Sequence, residues 1–162
     1  MEQQSEFDSI VEVTYAYAAG IDRRDWDMYR DVFTDPCEFD FHSFNNAAPA
    51  TFTPEQWTAG VRAVNGSFDA TQHQMTNHLV NFHGPDTATC VVELRAQHWF
   101  SPVTMATFGL LATTVNWCEL GGHYTNTMSR SDGLWRISRC HLTVRWRTGN
   151  ESLFDLARRR YR

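Results

Sequence analysis

Lysine is absent from this chain of 162 residues, whose 14 basic residues are all arginine. Without lysine the chain cannot form a Schiff base through its own side chains, and it cannot carry the P-loop lysine that binds nucleotide phosphates. Positive charge is scarce as well, because the formal net charge is −5. The basic cluster Arg158-Arg159-Arg160 lies at the C-terminal end and is typical of a solvated helix end. We therefore expect no nucleic-acid partner, which would need a basic stripe.

Paired cysteines and long apolar runs are also missing. The four cysteines lie far apart without a CxxC pair, a spacing that excludes a zinc knuckle and a thioredoxin motif. No apolar run is long enough for a membrane-spanning helix. The chain does not open with the charged start and apolar region of a secretion signal. We expect a cytoplasmic protein with reduced thiols and no membrane association. The cysteines are Cys37, Cys90, Cys118 and Cys140.

The residues that are present indicate a folded protein. Hydrophobic residues make up 42% of the chain and aromatic residues 14%, which is too much for a disordered segment. A chain of this length suits one domain that is large enough to enclose a small-molecule cavity. No internal repeat and no low-complexity linker divides the sequence. We therefore expect a single domain over residues 1–162.

The predicted helices come first along the chain, and the predicted strands follow. Apolar spacing, caps and proline positions predict helices over 5–21, 25–33 and from Thr53-Pro54 to about 63–65. Alternating side chains predict strands over 37–44, 72–83, 87–100, 117–130 and 134–147. Residues 104–116 are apolar and fit either a strand extension or a flap over a cavity. This order indicates an α+β fold, with a curved sheet around the N-terminal helices and a pocket between them.

Side-chain alternation along the strands predicts which polar groups face that pocket. His98 falls on the apolar face of its strand, and His78 shares a face with Val80 and Phe82. On a later strand, Tyr124 and Asn126 fall together on one face. Polar groups on an inner face need partners. An inward histidine is either a hydrogen-bonded core residue or a proton-transfer group, and the pattern leaves both interpretations open.

Asp22 and Tyr17 on the first helix are the other candidates. Asp22 either caps the next helix or orients a neutral histidine and stabilises its protonated form. Tyr17 is either a core residue or a hydrogen-bond donor to a substrate oxygen. The other strand histidines, His73, His83 and His123, are expected near strand ends or on the outer face, in solvent. No HxH or HExxH spacing supports a metal site.

Several segments resemble the SnoaL-like branch of the nuclear-transport-factor-2-like (NTF2-like) superfamily, and most of all its scytalone dehydratase and bile-acid dehydratase relatives. The resemblance covers about residues 7–150. Its most specific parts are the D-x-x-D-W step after the first helix and the G-x-W-R-I sequence that leads into the last strand. The segments are YAAGIDRRDWDMYRDVF, FDFHSF, TQHQMTNHLV, LRAQHWF and GGHYTNTMSRSDGLWRISRCHLTVRWRTGN.

The resemblance implies an NTF2-like cone, in which N-terminal helices pack on a strongly curved, mixed and mostly antiparallel sheet that encloses a pocket. It implies chemistry without a metal or an organic cofactor, and a homodimer or homotrimer formed through the sheet. It places the catalytic histidine and aspartate on His78 and Asp22. It places the second pocket histidine on His98, the strand asparagine on Asn126 and the helix tyrosine on Tyr17.

The sequence departs from scytalone dehydratase at the positions that hold the substrate carbonyl. That enzyme uses a water bound by two tyrosines, and Ile21 and Phe41 stand at those places here. Tyr124 stands where the family has a strand serine. Scytalone itself is therefore not the expected substrate, and Tyr17 or Tyr124 would have to polarise a carbonyl. We expect Phe41 and Trp99 to form apolar walls against the substrate.

Together these observations predict a cofactor-independent acid–base enzyme, a dehydratase that acts on a hydrophobic polycyclic or polyketide-like substrate. His78, oriented by Asp22, would remove a proton next to a carbonyl, and a tyrosine hydroxyl would stabilise the enolate. His78 or His98 would then deliver a proton to the departing hydroxyl. An isomerase or cyclase with the same residues, and a non-catalytic small-molecule-binding module, are the alternatives.

Overall fold

The structure is a computed structural model that describes residues 2–161. Helices and strands alternate in the first half of the chain, and long strands fill most of the second half. In chain order the elements are α1 (Glu2–Arg23), α2 (Trp26–Arg30), β1 (Phe33–Asp40), α3 (His42–Asn45), β2 (Ala50–Phe52), α4 (Pro54–Asn65), β3 (Ala70–Gly84), β4 (Thr87–Trp99), α5 (Pro102–Thr107), β5 (Trp117–Ser131), β6 (Leu134–Gly149) and α6 (Leu153–Arg160).

The six strands form one mixed sheet in the order β2-β1-β6-β5-β4-β3. β1 runs parallel to β6, and all other neighbouring strands are antiparallel. Helix α1 packs on the inner face of this sheet through Ile10, Thr14, Tyr17 and Ile21, which are buried at helical spacing. The predicted α+β cone, with N-terminal helices on a mostly antiparallel sheet, is confirmed.

Most predicted elements are confirmed, and the differences have local causes. The strand predicted over 37–44 ends at Asp40, and α3 follows it. The three-residue strand β2 was not predicted, because it is too short to show alternation. The ambiguous segment 104–116 contains the last residues of α5. This helix begins after Ser101, its N-cap, which accepts a hydrogen bond from the Thr104 N–H (3.1 Å). No helix within residues 2–161 is long and apolar enough to cross a membrane.

An irregularity in β3 decides which of its side chains face inward. The pairing of β3 with β4 shifts between Thr76 and Leu79, and Asn77 has a φ of 54°. This is the geometry of a β-bulge, which inserts a residue and reverses the facing of the side chains beyond it. Before the bulge, odd-numbered residues such as Met75 face inward. After it, even-numbered residues such as Val80 face inward.

Helix α6 covers one end of the cone. Its residues Leu153 and Phe154 are buried, and they form a second apolar cluster with Phe68 and Phe100. The Phe154 ring lies 4.7 Å from the His98 ring, measured between centroids. Helix α6 thus separates the interior of the cone from solvent at this end.

An ion pair holds the end of α6 against the start of β3. Asp69 accepts hydrogen bonds from the Arg160 guanidinium (2.7 Å) and from the Ser101 backbone N–H (2.7 Å). Burial alone would raise the pKa of Asp69, but the hydrogen bonds from Thr104, Arg160 and Ser101 outweigh it and lower that pKa from 3.8 to about 2. The carboxylate is therefore more stable in the folded chain than in the unfolded one.

Asp69→Asn is expected to lower the free energy of unfolding by about 1–2 kcal/mol at neutral pH. Because the folded pKa is depressed, this contribution is present above about pH 4 and is lost as the pH falls toward 2. Urea unfolding of the wild-type protein and of Asp69→Asn across this pH range checks the prediction. The difference between their free energies of unfolding should disappear on acidification. Asp27→Asn is the control, since Asp27 is 82% exposed. A gap that persists at pH 2 would contradict the assignment.

Candidate active site

Asp22, in the last turn of α1, anchors a hydrogen-bonded cluster against the start of β3. Its Oδ2 accepts the His73 backbone N–H (2.7 Å), and its Oδ1 contacts the His73 Nδ1 (2.7 Å) and accepts the Thr71 hydroxyl (2.9 Å). Burial would raise the pKa of Asp22, but the hydrogen bonds and charge of His73, together with the Thr71 hydroxyl, lower it. Asp22 is therefore an ionised carboxylate aimed at an imidazole.

Asp22 is not needed as a helix cap. Asp25 caps α2, since its side chain accepts the Met28 backbone N–H (3.0 Å). Of the two interpretations that the sequence left open for Asp22, the structure therefore supports the orientation of a histidine.

The carboxylate fixes the tautomer of His73. When the ring is neutral, the ionised acceptor at Nδ1 places the ring proton on that nitrogen and leaves the lone pair on Nε2. The side chain is only 7% exposed and lines a cavity inside the cone. Within residues 2–161, no side chain or backbone group is hydrogen-bonded to Nε2. In its neutral form this ring, with a carboxylate behind it and a free nitrogen in front, has the arrangement of a general base.

The cavity in front of His73, here called the inner cavity, has a volume of about 70 Å³. Its walls are mainly apolar, and the polar groups on it come from five residues. This volume corresponds to only a few non-hydrogen atoms, because one water occupies about 30 Å³ of liquid. The polar lining residues are Tyr17, Asn65, His73, His98 and Tyr124.

A larger pocket of about 350 Å³, here called the outer pocket, lies beside the inner cavity. The two share one wall, and the outer pocket continues past it along Phe52 and Trp57 toward Arg158. Its volume falls in the range that holds a small organic ligand. The shared residues are Phe41, Phe44, Val61, Asn65 and Phe154.

His98 lies beside His73, with ring centroids 5.5 Å apart, and is 3% exposed. Its Nε2 lies 3.0 Å from the Asn65 Oδ1, and its Nδ1 is buried without a partner among the described residues. Burial, and secondarily the charges of His73 and Arg24, hold the pKa of His98 well below its usual range. His98 is thus a neutral hydrogen-bonding group, and it faces inward as the sequence predicted.

Tyr17 and Tyr124 meet at another wall of the inner cavity. Their hydroxyl oxygens lie 3.0 Å apart, and both side chains are buried. Burial raises the pKa of both phenols, so both stay protonated near neutral pH. A pair of phenols has two hydroxyl protons and uses one in the mutual hydrogen bond. The other is not used in this bond and can be donated to a further acceptor.

The predicted pairing of His78 with Asp22 is wrong, because His73 occupies that place. His78 faces the inner side, but its Nε2 lies 2.7 Å from the Thr14 hydroxyl. That hydroxyl donates its proton to the Val11 carbonyl (2.8 Å), so His78 donates to Thr14. Thr14 lies about 12 Å along α1 from Asp22, at 1.5 Å per residue. His73, expected in solvent, is buried instead.

The signal for His73 was present in the sequence but weak. Met75 is apolar on an odd position of β3, whereas Val80 and Phe82 are apolar on even positions. Such a change of parity within one strand requires an inserted residue, and Asn77 is that residue. Thr71 and Asn65 were missed as well, since nothing in their local sequence distinguishes them from surface polar residues.

The other predicted substrate contacts divide into two groups. Phe41 lines both the inner cavity and the outer pocket. Asn126 is buried but lines neither, and its register partners are Cys90 and Cys140. Trp99 is 39% exposed on the outer face of the sheet, because its odd position in β4 faces away from His98. The expectation that Asn126 and Trp99 line the pocket is therefore wrong.

Between residues 2 and 161, no group of three His, Cys, Asp or Glu side chains is arranged to hold a metal ion. The four cysteines are free and buried. Burial raises the pKa of the Cys37 thiol to about 12 and of the Cys90 thiol to about 11. These side chains behave as small apolar core residues.

The fold and the sequence together define the family. The SnoaL-like domain family matches residues 4–141. The chain therefore belongs to the SnoaL-like family, within the NTF2-like superfamily. Among curated proteins, none matches the sequence significantly.

Solved structures with the same fold cover nearly the whole chain. The Kfla4162 protein from Kribbella flavida is 29% identical, with a TM-score of 0.85 over 94% of this chain and 99% of that one. A candidate scytalone dehydratase from Novosphingobium aromaticivorans is 19% identical, with a TM-score of 0.75 over 92% of this chain and 90% of that one. A hexachlorocyclohexane dehydrochlorinase, LinA type 2, is 17% identical, with a TM-score of 0.73 over 91% and 90%.

Proposed function

We propose that this protein is a cofactor-independent acid–base enzyme that removes water from a hydrophobic, ring-containing substrate. The observation that carries the proposal is the Asp22–His73 pair, whose remaining imidazole nitrogen is free at the inner cavity. The base is His73 and not His78. Enzymes named as a dehydratase and a dehydrochlorinase share the fold, and both names denote eliminations. This likeness supports a lyase.

The proposed reaction breaks a C–H bond next to a carbonyl and a C–O bond on the next carbon. His73 Nε2 takes the proton, and Asp22 stabilises the imidazolium that forms. The negative charge moves to the carbonyl oxygen, where the free hydroxyl proton of the Tyr17–Tyr124 pair donates a hydrogen bond. The electron pair then forms the C=C bond, and His73 returns its proton to the leaving hydroxyl as water.

The apolar surroundings of His73 strengthen each of these steps. The cavity of about 70 Å³ is walled largely by apolar side chains such as Ile21 and Leu94 and has room for only a few water molecules. Hydrogen bonds to a developing charge are stronger in such a site than in water. The low pKa of His98 keeps that residue neutral. It therefore adds no positive charge beside the imidazolium that Asp22 stabilises.

Elimination can be tested with a simple β-hydroxy ketone. The aldol adduct of benzaldehyde and acetone carries a phenyl ring, an acidic C–H bond and a leaving hydroxyl, and its dehydration gives a conjugated enone that absorbs strongly. We expect the protein to accelerate enone formation above the buffer rate. A reaction confined to exchange of the acidic proton with deuterated water would indicate an isomerase or cyclase. No acceleration of either step, for this ketone and for larger ring analogues, would refute acid–base catalysis.

We also propose a homodimer or homotrimer formed through the outer face of the sheet. Trp99, Trp117 and Trp146 are 39%, 43% and 44% exposed there, and Trp99 and Trp117 are register partners on β4 and β5. Exposed apolar side chains in one region of a sheet favour association. Trp117→Glu should shift sedimentation toward the monomer, whereas Leu134→Glu, at an exposed turn, should not. A monomeric wild-type protein would refute this assembly.

A further inference from the structure

Asn65 is the polar residue on the wall that the inner cavity and the outer pocket share. The other four shared residues, Phe41, Phe44, Val61 and Phe154, are apolar. Asn65 is the last residue of α4, so its side chain is held by the helix and not by a mobile loop. A ligand that extends from the outer pocket toward His73 must pass Asn65.

The hydrogen bond to His98 fixes the direction of the Asn65 amide. Its Oδ1 lies 3.0 Å from the His98 Nε2 and can only accept, so Nε2 carries the single proton of the neutral ring. Because the carbonyl side of the amide is engaged by His98, the NH₂ side faces away from it. No described residue accepts a hydrogen bond from Nδ2. The NH₂ group is therefore a donor available to a ligand.

The outer pocket favours a neutral ring system. Phe52 and Trp57 lie on it, and the Trp57 ring is stacked on Phe39 at 3.8 Å between centroids, which holds it in place. Arg158 at its edge is paired with Asp155 (2.8 Å), so its charge is already compensated. A flat apolar ring gains contact area here, whereas an anionic group at this edge would meet a guanidinium whose charge Asp155 already partly offsets.

The volumes of the inner cavity and the outer pocket determine which part of a substrate each can hold. The inner cavity, at about 70 Å³, admits only the reacting edge, whereas the outer pocket, at about 350 Å³, admits a ring system. The boundary between them is where an oxygen on the ring would meet the Asn65 amide.

From this arrangement, which rests on the proposed function for its substrate, we infer that Asn65 is a substrate-binding residue. Its amide donates a hydrogen bond to an acceptor oxygen, a carbonyl or ether, on a neutral ring seated in the outer pocket. The substrate class is thus an oxygenated ring compound whose oxygen lies at the edge facing His73. A hydrocarbon ring of the same shape would lack this contact, and Asn65 would discriminate between the two.

The test compares binding of indanone with binding of indane, which has the same rings without the oxygen. Neither ring system fits the inner cavity, so both probe the outer pocket. The wild-type protein should bind indanone about tenfold more tightly than indane, as one net hydrogen bond allows. Asn65→Leu should abolish this preference. Asn65→Asp keeps an acceptor for His98 but removes the donor, and should abolish it too. Dissociation constants come from NMR titration of the tryptophan indole N–H signals.

Asn45→Leu is the matched control, because Asn45 lines the outer pocket but not the inner cavity. It should retain the tenfold preference. Equal affinities in the wild-type protein, a preference that survives in Asn65→Leu, or no binding of either compound would overturn the inference. Binding is measured without turnover, so a protein that binds indanone through Asn65 but eliminates no water would refute only the proposed function.

Discussion

His73→Ala is expected to slow elimination of water from the β-hydroxy ketone by about 10²–10⁴-fold, the usual contribution of a well-placed general base. The variant removes the nitrogen that faces the inner cavity and leaves Asp22 without its imidazole partner. Steady-state rates measured by enone absorbance check the result. Because the loss falls on proton transfer, kcat should fall far more than KM rises.

His78→Ala is the matched control, since it removes the same ring from the same strand. His78 donates to Thr14 (2.7 Å) and has no contact with Asp22 in the structure, so its loss should change the rate only a few-fold. Free imidazole added to His73→Ala should restore part of the activity, whereas it should not affect His78→Ala. A loss in His78→Ala as large as that in His73→Ala would return the catalytic role to His78.

Asp22→Asn is expected to lower the rate by a similar factor of about 10²–10⁴, as loss of the orienting carboxylate does in other acid–base sites. The amide has nearly the shape of the carboxylate, so Thr71 and the His73 backbone can keep their places. It has no negative charge to stabilise the imidazolium. Its NH₂ group can also donate to Nδ1, which would move the ring proton to Nε2 and remove the base.

Asp25→Asn is the control for Asp22→Asn, because Asp25 caps α2 and asparagine is an equally good cap. It should leave both the rate and the melting temperature nearly unchanged. The pH dependence of the elimination rate separates a loss of catalysis from a loss of folding. The pKa of Asp22 lies below its ordinary value, so the wild-type protein should keep an ionised carboxylate well into the acid range. Full activity of Asp22→Asn would refute the dyad.

The sequence patterns that predicted structure correctly are local ones. The buried stripe on α1 and the capping box of α4, in which Thr53 and Gln56 cap each other, are set by residues within one or two turns. Buried residues alternate over most of β4 and over the middle of β5, so His98 and Tyr124 could be placed on the inner face. The turn residues at 84–86 and 131–133 set the register of these strands.

His73 was expected near a strand end or on the outer face, and its inward position depends on one irregular backbone residue. Alternation does not continue through Asn77, where the chain has a positive φ and the pairing with β4 shifts. A single inserted residue reverses every side chain beyond it. The resemblance to relatives placed the catalytic histidine on His78 of TQHQMTNHLV, whereas the structure brings His73 to Asp22.

By itself the sequence determined the fold class, the succession of helices and strands, the family and the presence of Asp22 on the first helix. These depend on hydrophobic period and on short motifs, which are properties of neighbouring residues. Only the tertiary structure decided that Asp22 holds His73, that Asn65 meets His98, and that burial keeps His98 neutral. Those contacts join residues 33 to 51 positions apart. Their geometry depends on a bulge and on the packing of α1, α4 and α6 around the sheet, which no local pattern encodes.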